Sequence, residues 1–378
     1  MMRQGREMND GAGFLDVLEP WDGIGVFVHR DRPTGTWIFV ALHDDRLGPA
    51  TGGCRMKVYD SPEDGLRDAL RLAEGMTYKW AAMDFPFGGG KTVMAVPEVL
   101  EGEARRGLFL RFGALLESLG GRYGTGADLG TTTDDMRTIA EVSSYVIGVH
   151  GRSDGPMDPS PFTALGVFEG IRSALRHRLG KDDLAGRTVL VEGVGSVGEP
   201  LARRLAEAGA AVMIADRDDA RAAAVARAVG GRVVAPGEVS RTPCDVYAPC
   251  AVGGRLDRTT VDLLRCSIVA GAANNQLGEP ADAEGLHQRG ILYAPDYVIN
   301  GGGAMAFTLI YQGVSSIDEV EARVRGIGPR LDAIFAEAEA ADRSPVVAAR
   351  ALAERILARG PLSGQPSSFE DMRGRAAL

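Results

Sequence analysis

From residue 163 onward the chain alternates helical stretches with short apolar runs, and this rhythm constrains its fold more than any other feature. A helix over 163–178 is followed by the strand TVLVEGV (188–194), the helix EPLARRLAEAG, the strand AAVMIAD, the helix DDARAAAVARAVG and a strand around VVAP. DVYAPCA, SIVAGAA and ILYAPDYV read as further strands that are apolar on both faces. Buried strands separated by helices imply a parallel sheet covered on both sides. At 378 residues the chain exceeds one ordinary core, so a second domain is expected ahead of this one.

The N-terminal part has a different pattern. GIGVFVHR and TWIFVALHD read as strands around the turn DRPTG. A helix follows, with Ser61 as N-cap, Pro62 at its first position, and Glu63 and Asp64 complementing its positive end. Leu66, Ala69, Leu70, Ala73, Met76 and Thr77 share one face of it. Lys79 falls in the last turn, where capping the terminal carbonyls is its plain structural role. Pro86 bars continuation. Gly88, Gly89 and Gly90 then lead into the strand TVMAV, which puts Lys91 at a loop-to-strand junction. An ammonium held in such a tight, partly dry place can exchange protons near neutrality. A second helix covers 103–118, and GRYGTGADLGTTT reads as strand and loop, with Asp128 among glycines. GRSDGPMDPSP (151–161) is the candidate interdomain crossing. The C-terminal part is helical and Ala-rich without sustained heptads, and GPLSGQPSSFEDMRGRAAL reads as a loose end.

Hydrophobic and charged contents of 45% and 25% are those of a globular enzyme. A net charge of −9 argues against nucleic acid as the main partner. No apolar run approaches the ~20 residues of a spanning helix, and MMRQGREMNDGAGFLDVL lacks a signal-peptide core, so a cytoplasmic location is expected. Cys54, Cys244, Cys250 and Cys266 form no metal-ligand spacing, so no metal is expected and the thiols are expected reduced.

Gly193-Val194-Gly195-Ser196-Val197-Gly198 follows an expected strand, opens an expected helix and precedes Asp216 at the end of AAVMIAD. Gly193 permits the tight turn, Gly195 lets a pyrophosphate reach the backbone and Gly198 permits close helix packing. The helix N-terminus supplies amide donors. Asp216 would bind the adenosine ribose hydroxyls and repel a 2′-phosphate, favouring NAD over NADP. The adjacent Arg217 could instead turn to a phosphate or point to solvent.

Oxidising an amino acid needs a cation for the carboxylate, a base to activate water and a carboxylate to ferry protons. Lys79, Lys91 and Asp128 are of the right types, although spacing alone does not assign the roles. LGPATGGCRM, DALRLAEGMTYKWAA, GGGKTV, GRYGTGADLGTT, DVYAPCAVGG, GAANNQL and APDYVINGGG, in this order between about residues 20 and 360, resemble the leucine/phenylalanine/valine branch of the Glu/Leu/Phe/Val dehydrogenase family.

The resemblance implies an α/β fold of two domains with a catalytic cleft between them. Residues 1–150, completed by C-terminal helices at about 341–378, would form a substrate and oligomerisation domain, and 151–340 a Rossmann doubly wound NAD domain. It implies NAD-dependent, reversible oxidative deamination of an L-amino acid to a 2-oxo acid and ammonium, by a homo-oligomer (dimer or octamer). By motif, Lys79 would bind the substrate carboxylate, Lys91 serve as general acid/base and Asp128 as proton shuttle. Gly52, Gly53 and Asn275 would contact substrate. Thr163 and Asn300 match positions near the nicotinamide carboxamide, and Ala248, Pro249 and Cys250 a loop beside its ribose. Cys250 reads as packing rather than as a nucleophile.

Side-chain pocket positions map by the same resemblance to Thr51, Gly126, Ala304 and Phe307; Met76 flanks Lys79, and core is the favoured reading for it over substrate contact. Small residues at Gly126 and Ala304 leave volume for an aromatic or bulky apolar substrate such as phenylalanine. Thr51 and Phe307 work against this, and a branched-chain substrate is the alternative. Gly301 replaces the family's usual alanine. A 2-hydroxy-acid enzyme would need a His–carboxylate pair, yet none of His29, His43, His150, His177 and His287 lies in a chemistry motif. A non-catalytic dinucleotide-binding protein is disfavoured by the intact Lys79, Lys91 and Asp128.

Overall fold

The computed structural model describes residues 13–149, 158–251, 253–361 and 369. The expected crossing segment therefore lies outside the described residues up to 157, as does most of the C-terminal end. The described residues divide into two compact units: 13–77, 87–149 and 369 form the first, and 78–86, 158–251 and 253–361 the second.

The first unit is built on α1 (Phe14–Leu18), β1 (Gly25–Asp31), β2 (Thr36–Asp44), β3 (Ala50–Val58), α2 (Pro62–Ala82), β4 (Gly88–Val96), α3 (Gly102–Ser118), β5 (Tyr123–Ala127) and α4 (Thr133–Ala140). Its mixed sheet has the order β1-β2-β4-β3-β5. β2 runs antiparallel to β1 and β4, whereas β3 is parallel to β4 and β5. The helix α2 starts where its cap dictates: Ser61 Oγ accepts the Asp64 amide at 3.2 Å and donates to its carboxylate at 2.7 Å. Leu66, Ala69, Leu70 and Ala73 then pack on Phe39, Ala41, Val93 and Ala95 in one buried cluster.

The glycine run departs from expectation. Gly88–Gly90 are strand residues of β4, paired with Ala50 and Thr51 on one side and with Leu42 and Asp44 on the other. Lys91 thus lies inside a central strand, opposite Ala41, rather than at a junction. The glycines allow this because their neighbours stand too close for side chains: a Cβ at Gly88 would lie 1.9 Å from Asp44 O, and one at Gly89 1.9 Å from Thr77 Oγ1.

The second unit comprises α5 (Ser160–Leu179), β6 (Thr188–Glu192), α6 (Gly198–Glu207), β7 (Ala211–Ala215), α7 (Asp219–Val229), β8 (Arg232–Val233), β9 (Val246–Pro249), α8 (Arg258–Leu263), β10 (Ile268–Val269), α9 (Asp282–Gln288), β11 (Leu292–Tyr293), α10 (Asp296–Ile299), α11 (Gly302–Tyr311), α12 (Ile317–Arg325), α13 (Ile327–Ala340) and α14 (Pro345–Arg359). Its six strands pair in parallel in the order β11-β10-β9-β6-β7-β8. From β6 the chain winds outward through β7 and β8, then returns to build β9, β10 and β11 on the other side. The switch point lies between β6 and β9, and in open sheets ligands bind beyond the strand ends at such a point. β10 and β11 have two residues each, shorter than their apolar runs suggested. The C-terminal helices expected to complete the first domain group instead with the second unit, because α14 packs on α13 and β11. No described helix is long and apolar enough to cross a membrane.

Candidate functional site

In the first unit, β3, β4 and β5 bring Thr51, Gly52, Gly53, Lys91, Gly126 and Asp128 together. Lys91 is 5% exposed, and its Nζ lies 2.9 Å from Asp128 Oδ2. The same oxygen accepts from Arg55 Nε at 3.0 Å. Burial would raise the Asp128 carboxyl, but Lys91 and then Arg55 outweigh it and hold the group at about 2. A Cβ at Gly53 would stand 2.8 Å from Asp128 Cβ and 3.2 Å from Lys91 Nζ, so only glycine leaves the pair its room. A Cβ at Gly52 would lie 1.9 Å from Gly90 O and 3.2 Å from Met76 Cγ, which places Met76 beside this glycine. Thr51 is buried and donates its hydroxyl to Pro49 O at 3.0 Å. An acid and a base in contact, on a strand and at a strand end, can pass protons to a group held above them.

In the second unit, Lys79 Nζ donates to Asn300 Oδ1 at 2.8 Å. Asn300 Nδ2 in turn donates to Asn274 Oδ1 at 2.7 Å and to Ala272 O at 3.3 Å. Asn275, the expected donor, holds a left-handed backbone with φ of 50° and takes the Gly254 amide on its carbonyl at 2.6 Å. Beneath this cluster lies Asp296, which accepts from the amides of Gln276 at 3.2 Å and Tyr297 at 2.8 Å. Burial pushes its carboxyl up, with those amides and Lys79 opposing. Thr163 Oγ1 stands where a Cβ at Gly303 would meet it at 2.5 Å, so α5 and α11 join closely here. Ala304 and Phe307, one turn apart on α11, are both partly exposed.

The switch point of the second sheet carries the glycine fingerprint. Gly193 has φ of 87°, a turn that suits only glycine. A Cβ at Gly198 would lie 1.9 Å from Gly193 O, so the first turn of α6 presses on the loop. Gly195 and Ser196 are exposed, and a Cβ at Gly195 would meet nothing within 4 Å. The helix start thus faces open space, as a bound phosphate requires. Asp216, just beyond β7, accepts from Val194 N at 2.8 Å and Asp218 N at 2.9 Å. Burial would raise its carboxyl, but these amides outweigh it and hold it low. Arg217 is exposed, and Arg221 Nη1 lies 3.9 Å from Asp216 Oδ2. Ala248 and Pro249 end β9, and Cys250 N donates to Glu192 O at 2.7 Å. Burial pushes the Cys250 thiol up to about 12, which removes it as a nucleophile. These residues suit a dinucleotide: a glycine cradle, an open helix start and an acidic group at the next strand end.

Sequence reasoning gave no role to Arg55, Asn274 or Asp296. Each owes its place to contacts across long separations, such as the 73 residues between Arg55 and Asp128. Among the described residues no cluster of His, Cys, Asp and Glu suits a metal ion.

The chain is similar to known proteins along most of its length. Residues 33–145 match the family profile described as Glu/Leu/Phe/Val dehydrogenase, dimerisation domain, and 213–356 match Glutamate/Leucine/Phenylalanine/Valine dehydrogenase. The chain is 39% identical to leucine dehydrogenase of Geobacillus stearothermophilus over 341 residues, covering 90% of this chain and 92% of that one. It is 38% identical to phenylalanine dehydrogenase of Thermoactinomyces intermedius, covering 92% and 98%. The crystal structure of L-tryptophan dehydrogenase from Nostoc punctiforme superposes with a TM-score of 0.80 at 37% identity, over 91% of this chain and 98% of that one.

Proposed function

This chain belongs to the Glu/Leu/Phe/Val dehydrogenase family, and from that premise we propose that it catalyses the reversible, NAD-dependent oxidative deamination of an L-amino acid with an aromatic or bulky apolar side chain, such as phenylalanine. The observation that carries the chemistry is the pair of buried Lys91 and half-buried Asp128, 2.9 Å apart beside Gly53.

Lys79, oriented by Asn300, holds the substrate carboxylate. Asp128 takes a proton from the substrate ammonium group, breaking N–H and forming O–H. Bound NAD supplies the acceptor for the hydride of the α-carbon, which leaves an iminium on the substrate. Lys91, as the neutral amine, draws a proton from water while the water oxygen bonds to that carbon. Asp128 returns its proton to nitrogen and then takes the proton of the new hydroxyl, whose O–H pair closes the C=O bond as the C–N bond breaks with its electron pair going to nitrogen, and ammonia leaves. Gly193–Gly198 would hold the pyrophosphate, Asp216 the adenosine ribose, Ala248–Cys250 the nicotinamide ribose, and Thr163 and Asn300 the carboxamide. The acidic Asp216 supports NAD over NADP.

The aromatic preference rests on the absent side chain of Gly126 and the methyl of Ala304. The likeness to the leucine enzyme keeps branched-chain substrates as the second reading. The dimerisation description of residues 33–145 supports a homo-oligomer, which light scattering on the purified chain tests. The deciding experiment is a panel of L-amino acids with NAD at alkaline pH, followed by absorbance of the reduced dinucleotide. Turnover greatest with phenylalanine or tryptophan is expected; greatest turnover with leucine or valine moves the assignment to the second reading, and no turnover refutes the function.

A further inference from the structure

The two carboxylate oxygens of Asp128 differ. Oδ2 takes both cations, Lys91 Nζ at 2.9 Å and Arg55 Nε at 3.0 Å. Among the described residues no donor contacts Oδ1. Arg55 is itself held at its far end: Nη1 donates to Asp68 Oδ2 at 2.9 Å, an oxygen that also takes the Tyr59 hydroxyl at 2.7 Å. Arg71 holds the other oxygen of Asp68 at 2.8 Å. The side chains of Arg55 and Asp68 are each 15% exposed. Arg55 is therefore a fixed strut from α2 to the end of β5.

We propose that Arg55 is a positioning residue for this reaction, pinning Oδ2 of Asp128 and keeping the carboxylate charged while Lys91 is neutral, so that proton exchange with the substrate nitrogen runs through Oδ1. The inference rests on the roles proposed above for Lys91 and Asp128.

In the resting pair two cations oppose the desolvation of Asp128. Once Lys91 has lost its proton, one of them is gone. A neutral amine beside a partly buried carboxylate leaves burial free to favour the protonated acid. A proton released by Lys91 would then settle on Asp128 and block uptake from the substrate ammonium. A guanidinium does not lose its proton in proteins; burial would loosen that proton on Arg55, but Asp128 and Asp68 outweigh burial and hold it on the guanidinium more tightly still. Arg55 is the charge that persists through the cycle. The other ionisable groups around Asp128 do not replace it. Cys54 on β3 is buried, with a thiol pushed far up by burial, and Tyr59 is likewise raised. Asp68 is an anion, and Arg105 is committed to Asp135 at 2.6 Å.

The test uses the full chain with [13Cγ]-aspartate labelling, the Asp128 signal being identified by its loss in Asp128→Asn. In the parent protein Asp128 is expected to stay ionised to the lowest pH at which the chain remains folded. In Arg55→Gln it is expected to titrate within the folded range. For amino-acid turnover, kcat is expected to fall about tenfold or more, part of the ~10²–10⁴ that general acid–base catalysis contributes. The acid limb of the pH profile moves upward, the substrate KM changes little, and Arg55→Lys restores part of the loss. An unmoved Asp128 titration and an unmoved limb, with only a lower Tm, would make Arg55 a structural strut and overturn the proposal. If Arg55→Gln does not fold, Asp68→Asn frees the guanidinium while leaving its charge. A reduced kcat with Asp128 still ionised is then expected, and an unchanged kcat overturns the pinning. An amino-acid panel without turnover refutes the proposed function, and the titration alone then decides the electrostatic role of Arg55.

Discussion

Lys79 and Asn300, 221 positions apart, meet in a 2.8 Å hydrogen bond from Nζ to Oδ1. The amide fixes the ammonium and is itself oriented by Asn274. A carboxylate ligand would thus find a preset cation. Lys79→Ala is expected to raise the substrate KM by about 10- to 100-fold, the loss of a charged hydrogen bond worth ~1.5–3 kcal/mol. Dinucleotide affinity, followed by fluorescence titration, should hardly change. An unaltered KM would remove Lys79 from substrate binding.

Lys91→Ala takes away the proposed base and leaves the glycine cradle intact. Single-turnover and steady-state rates are expected to drop by ~10²–10⁴, the usual share of general acid–base catalysis, with dinucleotide binding retained. Near-normal turnover would refute the role of Lys91.

Acid should weaken the fold through Asp128. Its carboxyl, ordinarily at 3.8, is held at about 2 in the folded chain. A depressed folded value means that the stabilisation is complete above the unfolded value and is lost as pH falls through the folded one. The contribution is about 2 kcal/mol, fading between pH ~4 and ~2. Asp128→Asn also strands two cations, so it should melt lower than the parent at neutral pH. Thermal melts should show that gap narrowing across this acid window; a constant gap would contradict the assigned titration.

Gly53→Ala places a methyl 2.8 Å from Asp128 Cβ and 3.2 Å from Lys91 Nζ. Spreading the pair should cut kcat by at least about tenfold, since small misplacements of reacting groups cost up to ~10²-fold. Gly25→Ala, on an edge strand with nothing within 4 Å of the new Cβ, is the matched control and should behave as the parent. Equal activity of both variants would show that the pair tolerates displacement.

Ala304→Leu narrows the partly exposed face of α11 shared with Phe307. The kcat/KM ratio of phenylalanine to leucine is expected to fall by ~10- to 100-fold, the scale of a methylene or two in a pocket. An unchanged ratio would discredit the pocket positions.

Local signals carried much of this architecture. The Ser61 cap, Pro62 and the apolar spacing of α2 act within a few residues of each other, so the helix is readable and lands at Pro62–Ala82. The strand-helix alternation likewise announces the parallel sheet, and the glycine fingerprint falls at its switch point. The place of Lys91 was not legible: three glycines suggest a loop, yet they are paired on both sides. Pairing depends on β2 and β3, which glycine's own weak strand preference does not report. The grouping of α14 was equally hidden. Arg350 meets Tyr78 at 2.9 Å and Arg359 meets Asp84 at 2.6 Å, contacts across 272 and 275 positions that no local pattern encodes. Arg55 lay in view inside GGCRM, but its significance comes from a partner 73 residues away.

The triple glycine of β4 sets the elevation of the lysine that follows it. Gly88 and Gly89 would drive a methyl to 1.9 Å from Asp44 O and Thr77 Oγ1, and Gly90 to 2.8 Å from the Tyr123 ring. Three successive floor tiles are cemented to the surrounding backbone, so the reach of the amine is decided before its own rotamers are chosen. A saturation screen of this strand should return a gap of three intolerant codons, and a designer who wishes to move the amine must relay the floor.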